Sequence, residues 1–175
     1  MMSKLVVVFG ATGFVGKAVV EALSSRGAAV VPMATPRLPP SRADRAQDVL
    51  QGFTVEIASL ARELRRADCV VNAAGVADAS SDDESMLNAA NGLVPGFLAM
   101  AADMARVPRF VHVSSAAVQG RARVLDSSES VAPFSAYSRS KVLGLPARQV
   151  DRFHPSLDLL HGLAARPMRD CPAKP

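Results

Sequence analysis

A run of β-branched residues that stops at a glycine, with two further glycines at three-residue intervals, leaves a chain few folds to choose from. LVVVF, Leu5 to Phe9, shows no polar alternation, which is how a strand buried on both faces of a parallel sheet reads. GATGFVG then places Gly10, Gly13 and Gly16 in order. The first glycine permits a sharp turn, the second lets the backbone approach a pyrophosphate, and the third allows close packing of a helix on the strand. Apolar residues at helical spacing from Val15 to Leu23, closed by Gly27, supply that helix. Its N-terminus would offer bare N–H groups and positive dipole charge to phosphates.

The rest of the chain continues the alternation. Ala28–Met33 predicts a second strand, after which Pro36, Pro39 and Pro40 enforce a loop. In Gly52–Arg66, Phe53, Val55 and Ile57 alternate like a short strand, and Leu60, Ala61 and Leu64 continue at helical spacing; the expectation is a weak strand and then a helix. CVVNAA, Cys69 to Ala74, reads as a buried strand ending at Gly75. Met86–Ala105 reads as a helix despite Gly92, Pro95 and Gly96, and RFVHVS, Arg109 to Ser114, as the next strand. Strands alternating with helices predict an α/β fold with a doubly wound parallel sheet, whose ligands sit at the carboxyl ends of the strands. Beyond Lys141 the pattern breaks: Gly144 and Pro146 interrupt a helix, and prolines crowd the last thirty residues.

Composition narrows the function. A chain of 175 residues, 49% hydrophobic, holds one domain with a true core. Its net charge of +4 comes from arginines scattered along the length, with no tryptophan and no dense basic block, so nucleic acid is not an expected partner. No apolar run approaches the about 20 residues that span a bilayer, and the N-terminus lacks a signal-peptide core, so no membrane partner and a cytoplasmic location are expected. Cys69 and Cys171 have neither paired spacing nor a histidine cluster, which predicts no metal site.

One stretch has no structural reason in this frame. YSRSK begins with Tyr137, the chain's one tyrosine, and ends with Lys141, one of four lysines against sixteen arginines. On a helix the two share a face one turn apart. An ammonium beside a phenol favours the ionised, proton-accepting form, so the pair is suited to exchanging a proton with a substrate hydroxyl. His112, isolated in a strand, is read as a packed residue and is assigned no role.

GATGFVG, NAAG at Asn72–Gly75, VSSAAVQG at Val113–Gly120 and YSRSK, in this order, resemble the extended short-chain dehydrogenase/reductase family, the NAD-dependent epimerase/dehydratase group, over about residues 4 to 143. The resemblance implies a Rossmann-like NAD(P)-binding domain over residues 1–143. It implies cofactor contacts from Gly10, Thr12, Gly13, Phe14, Val15, Gly16, Asn72, Ala73, Ala74 and Gly75, with Tyr137 and Lys141 at the nicotinamide ribose. Ser115 matches the family's catalytic serine, which would orient the reacting oxygen between Tyr137 and the cofactor. Asn91 resembles its structural and proton-relay asparagine.

The cofactor choice can be argued from the residues. The end of the second strand, where a carboxylate would hold the ribose hydroxyls of NAD, has Ala34 and no acid nearby. Arg37 is present instead, with Arg42 beyond it, and a guanidinium can hold the extra phosphate of NADP. NADP is therefore preferred to NAD.

The match also has departures. TVEIASLARE has no Asp in the place where the family usually carries an acidic residue near the adenine, and Gln119 stands where the family often has tyrosine. Family members are longer, because a C-terminal region forms most of their substrate pocket; residues 144–175 read as a divergent tail in its place. A sheet ending after RFVHVS would be C-terminally incomplete, with an exposed apolar edge that calls for a covering partner, a homo-oligomer being one. The expected function is that of an oxidoreductase-type domain acting on a sugar-nucleotide or a small carbonyl or hydroxyl substrate. The alternatives are a non-catalytic dinucleotide-binding or interaction module and a degenerate remnant.

Overall fold

A computed structural model describes residues 3–78, 80–121, 124–126 and 130–144. The expected tail, beyond 144, lies outside them. Four strands form one parallel sheet in the order β2-β1-β3-β4, with β1 at Leu5–Phe9, β2 at Ala29–Met33, β3 at Cys69–Asn72 and β4 at Phe110–His112. The register pairs Val8 with Pro32 on one side of β1 and with Val71 on the other. The chain winds outward from β1 to β2 and then crosses back to β3, so the strand order reverses between β1 and β3. That reversal opens a crevice above the carboxyl ends of these two strands.

Strand alternation divides the apolar side chains of β1 between two cores. Val6 and Val8, with Val71 of β3, pack against Val19, Val20 and Leu23 of α1 (Phe14–Ser24). Val7 and Phe9, with Val70, face the other way onto α3 (Thr54–Leu64) and α5 (Val94–Met104), where Ile57, Leu64, Phe97 and Leu98 are buried. Helices therefore cover both faces of the sheet, as the doubly wound expectation requires. Each such side chain taken fully out of water stabilises the fold by about 1.5–3 kcal/mol.

The weak strand expected at Phe53–Ile57 is absent. Gln51–Phe53 form a 3-10 turn after α2 (Ala46–Leu50), and α3 begins at Thr54. The reason is visible in the burial: Ile57, Ala61 and Leu64 make one helical stripe with Phe53 and Leu60, whereas Val55, which alternation would turn inward, is 75% exposed. A second consequence concerns β2. Among the described residues no strand pairs on its outer side, which suits Pro32, a residue that cannot donate to a ladder.

The helix expected over Met86–Ala105 forms in three pieces. α4 (Glu84–Asn88) runs through a π turn at Ala89–Leu93 into α5. Pro95 falls in the first turn of α5, where a missing N–H is tolerated, and Gly96 leaves room for Leu50, whose Cδ1 would lie 2.8 Å from an added Cβ.

Candidate functional site

The glycine turn stands at the crevice, and its three glycines meet different demands. Gly10 has φ +76°, and a β-carbon there would lie 2.5 Å from the amide nitrogen of Ala74, so β1 and β3 end in backbone contact. A β-carbon on Gly16 would collide with the carbonyl of Gly10. Gly13 differs: its φ is −75°, the nearest atom to an added Cβ is Gly10 O at 3.4 Å, and the residue is exposed. Nothing inside the protein requires a glycine there, which is the result expected where an outside group approaches the backbone. Gly13 is also the N-cap of α1, with no side chain capping it and no acid in the first turn. Thr12, Gly13, Phe14 and Val15 are all exposed, Phe14 at 94%.

At the end of β2, Ala34 and Pro36 line a groove of about 300 Å³ with Leu60 and Phe97. Glu56 and Glu63 of α3 border the same groove; the sequence reading gave neither a role and placed Glu56 in a strand. Arg37 is exposed on the adjoining loop.

Around β3 the polar groups knot together. Asn91, fully buried inside the π turn, accepts a hydrogen bond at Oδ1 from Val76 N (2.9 Å) and donates from Nδ2 to Val76 O (3.0 Å) and Ser140 Oγ (3.1 Å). Ser140 Oγ in turn donates to Tyr137 O at 2.7 Å. Asn91 thus clamps the loop after β3 to α6 (Ala136–Leu143), and a π turn at such a position is a common mark of a functional site. Gly75 completes the knot. It adopts φ +153°, and an added Cβ would lie 2.7 Å from Asn91 Oδ1 and 2.8 Å from Lys141 Nζ.

Each letter of YSRSK has its own task. Ser138 closes a capping box with Ser135, its amide donating to Ser135 Oγ (3.1 Å) while its own Oγ accepts from Ser135 N (2.8 Å). Arg139 reaches out to Glu84 of α4 at 3.0 Å, and Ser140 holds Asn91. That leaves Tyr137 half-buried, with Lys141 Nζ 5.9 Å from its ring centre. Lys141 is only 5% exposed, and burial pushes its pKa down. Among the described residues no carboxylate pairs with it.

Ser115 caps the 3-10 turn Ala116–Gln119, which packs against α6; its Oγ accepts from Ala117 N at 3.2 Å. Asn72 ends β3 with Oδ1 accepting from Ala74 N (3.0 Å) and Nδ2 facing His112 Nδ1 (3.1 Å). Ala73 and Ala74 follow it against the Gly10 turn, where Ala73 N donates to Phe9 O.

The profile of the NAD dependent epimerase/dehydratase family matches residues 6–149. The chain belongs to that family. Solved structures with the fold of this epimerase/dehydratase chain include a dTDP-4-dehydrorhamnose reductase from Bacillus anthracis in complex with NADP, at 20% identity and TM-score 0.63, covering 82% of this chain and 48% of that one. MoeE5, in complex with UDP-glucose and NAD, aligns at 26% identity and TM-score 0.60, over 79% of this chain and 46% of its own. A UDP-glucuronic acid 4-epimerase from Bacillus cereus in complex with NAD gives 22% and 0.59, over 80% and 50%. The epimerase/dehydratase chain thus spans about half the length of these structures. No curated protein sequence matches it. Among the described residues no helix is long and apolar enough to cross a membrane, and none of the acidic, histidine or cysteine side chains gather as metal ligands.

Burial, with the nearby Lys141 ammonium, pushes His112 from an ordinary 6.5 to about 4. Between those values the unfolded chain binds a proton that the folded chain refuses, so stability falls as pH drops through this window and levels off below it. The histidine's share is about 3 kcal/mol. Urea midpoints followed from pH 7 to pH 4 should therefore decline, and decline less in His112→Phe; equal declines would place the acid sensitivity elsewhere.

Proposed function

We propose that this domain binds NADP(H), in preference to NAD(H), and uses it for hydride transfer to or from a carbonyl or hydroxyl group of a sugar-nucleotide or another small substrate. The observation that carries the reading is Lys141: among the described residues no carboxylate pairs with this buried side chain, its burial costs free energy, and its ammonium lies 5.9 Å from the ring centre of the chain's one tyrosine.

The residues fit a dinucleotide. Gly13 and the uncapped start of α1 suit a diphosphate, with Gly10 and Gly16 shaping the bend and Thr12, Phe14 and Val15 flanking it. Asn72, Ala73, Ala74 and Gly75 border the other side of the crevice, and Lys141 Nζ, pressed against Gly75, is positioned for a ribose hydroxyl. The cofactor supplies the hydride acceptor or donor. Tyr137 Oη gives or takes the substrate's hydroxyl proton, with the Lys141 ammonium beside its ring. Ser115 already accepts from Ala117 N, so its hydroxyl proton is available to donate to the reacting oxygen. Asn91 acts through the clamp it forms. Family membership and the UDP-glucose bound to MoeE5 support a sugar-nucleotide substrate.

Titrating the purified chain with NADPH and following nicotinamide fluorescence tests the cofactor reading; saturable binding supports it, and none at millimolar cofactor defeats it. Arg37→Ala should weaken NADPH at least tenfold, about 1.4 kcal/mol, and leave NADH unchanged. Glu56 and Glu63 oppose the 2′-phosphate, so tighter NADH binding in the parent chain would assign the ribose end to these carboxylates and remove Arg37 from it.

A further inference from the structure

Tyr137 and Lys141 are both carried on α6, so the rotation and tilt of that helix decide where the two side chains stand. Few of its contacts have a direction. The ion pair of Arg139 with Glu84 is about half exposed on both sides and holds little. At the other end an added β-carbon on Gly92 would meet Leu143, and one on Gly144 the Asn91 carbonyl, so α6 and the π turn press together without a specific bond. The capping box of Ser135 and Ser138 is internal to the helix start. Among the described residues, one buried hydrogen bond joins α6 to another element: Asn91 Nδ2 donates to Ser140 Oγ at 3.1 Å.

The proton positions along this link follow from its partners. Val76 N donates to Asn91 Oδ1, so the nitrogen end of the amide is the one that faces Val76 O and Ser140. An amide nitrogen only donates, so Ser140 Oγ accepts from it, and the single hydroxyl proton goes to Tyr137 O at 2.7 Å. Asn91 and Ser140 are both fully buried, where chained hydrogen bonds reinforce one another. Tyr137 O is also the carbonyl that helix geometry assigns to the amide of Lys141. A serine bonding back to the carbonyl of the preceding turn bends a helix there. Ser140 thus acts on the one carbonyl that ties the tyrosine and the lysine together. At its far end the same link holds Val76, next to Gly75, whose backbone lies against Lys141 Nζ.

We propose that Ser140 is a positioning residue for the proton transfer. Through Asn91 it ties the backbone of Tyr137 to the loop after β3, and so sets where the phenol stands relative to the crevice wall. The placement of Tyr137 follows from the geometry alone, and the consequence for turnover rests on the function proposed above.

Tyr137 is the chain's one tyrosine and there is no tryptophan, so the protein's fluorescence reports on this side chain alone. Ser140→Ala removes both bonds without adding volume, and Ser140→Cys keeps the size with a weaker donor and acceptor. In the full chain without cofactor, acrylamide quenching of the tyrosine should rise about twofold in Ser140→Ala and by an intermediate amount in Ser140→Cys, with urea unfolding still cooperative in both. In turnover, kcat should fall about tenfold or more in Ser140→Ala while KM and NADPH affinity stay within about threefold, and Ser140→Cys should recover part of the loss. Quenching equal to the parent in Ser140→Ala overturns the proposal whether or not the chain turns over a substrate. Raised quenching with turnover like the parent's would show a packing role only and overturns it as well. A parent chain without turnover would defeat the function proposed above and leave the quenching result to decide this one. If Ser140→Ala loses cooperative unfolding, Ser140→Cys decides by the same comparison.

Discussion

Tyr137→Phe should lower turnover by at least two to four orders of magnitude while NADPH affinity changes by less than about threefold. The asymmetry follows from what the substitution removes. Phenylalanine keeps the ring that lies 5.9 Å from Lys141 Nζ and leaves the capping box of Ser135 and Ser138 and the Ser140–Asn91 clamp intact. Only the hydroxyl is lost, and with it the proton that must move as the carbonyl becomes an alcohol. The assay follows NADPH absorbance against a panel of UDP- and dTDP-linked keto sugars and small aldehydes. Variant turnover near that of the parent would remove Tyr137 from the chemistry. A parent chain that binds NADPH tightly and turns over no member of the panel would favour the dinucleotide-binding module instead.

Lys141→Met carries the companion expectation on stability. Burial lowers the lysine's pKa, so the folded state pays to keep it charged at neutral pH, and a methionine of similar length should raise the melting temperature while abolishing turnover. A melting temperature that falls would show that Lys141 serves the fold.

How much of this was legible in the sequence depends on the range over which each signal acts. LVVVF and GATGFVG determine their structure locally, through β-branched burial and the absence of β-carbons, and the βα turn forms where those residues place it. YSRSK likewise forms the helix its spacing called for, although only the structure reveals that Ser138 joins Ser135 in the cap and that Ser140 serves the clamp. The strand misread at Phe53–Ile57 is a failure of period: over five residues, alternation and a helical stripe share Phe53 and Ile57, and the burial of Ala61 and Leu64 decides between them. Contacts between distant segments left no signal at all. The closeness of Gly75 to Lys141 joins residues from separate βα units, and the pairing of His112 with Asn72 depends on strand register. An isolated strand histidine is correctly read as packed.

The second large effect separates two glycines that look alike in the sequence. Gly16→Ala should cost about 3 kcal/mol or more, against the helix propensity gained, because its β-carbon meets the Gly10 carbonyl and the Ala11 Cα, backbone atoms that cannot rotate aside. Urea denaturation should find the variant unfolded or close to it. Gly13→Ala has a conformation that alanine adopts freely, and its β-carbon stays 3.4 Å from the nearest protein atom, so the fold should lose only about 1 kcal/mol from the poorer N-cap. NADPH affinity, by contrast, should fall at least tenfold, since the added methyl stands where a diphosphate must approach the bare amides of α1. The pair therefore tests the central inference with an internal control: one glycine is required by the protein's own backbone, the other by a ligand. If Gly13→Ala binds NADPH as the parent does, the diphosphate does not lie on this turn, and the positions assigned to Lys141 and Tyr137 beside the nicotinamide lose their support.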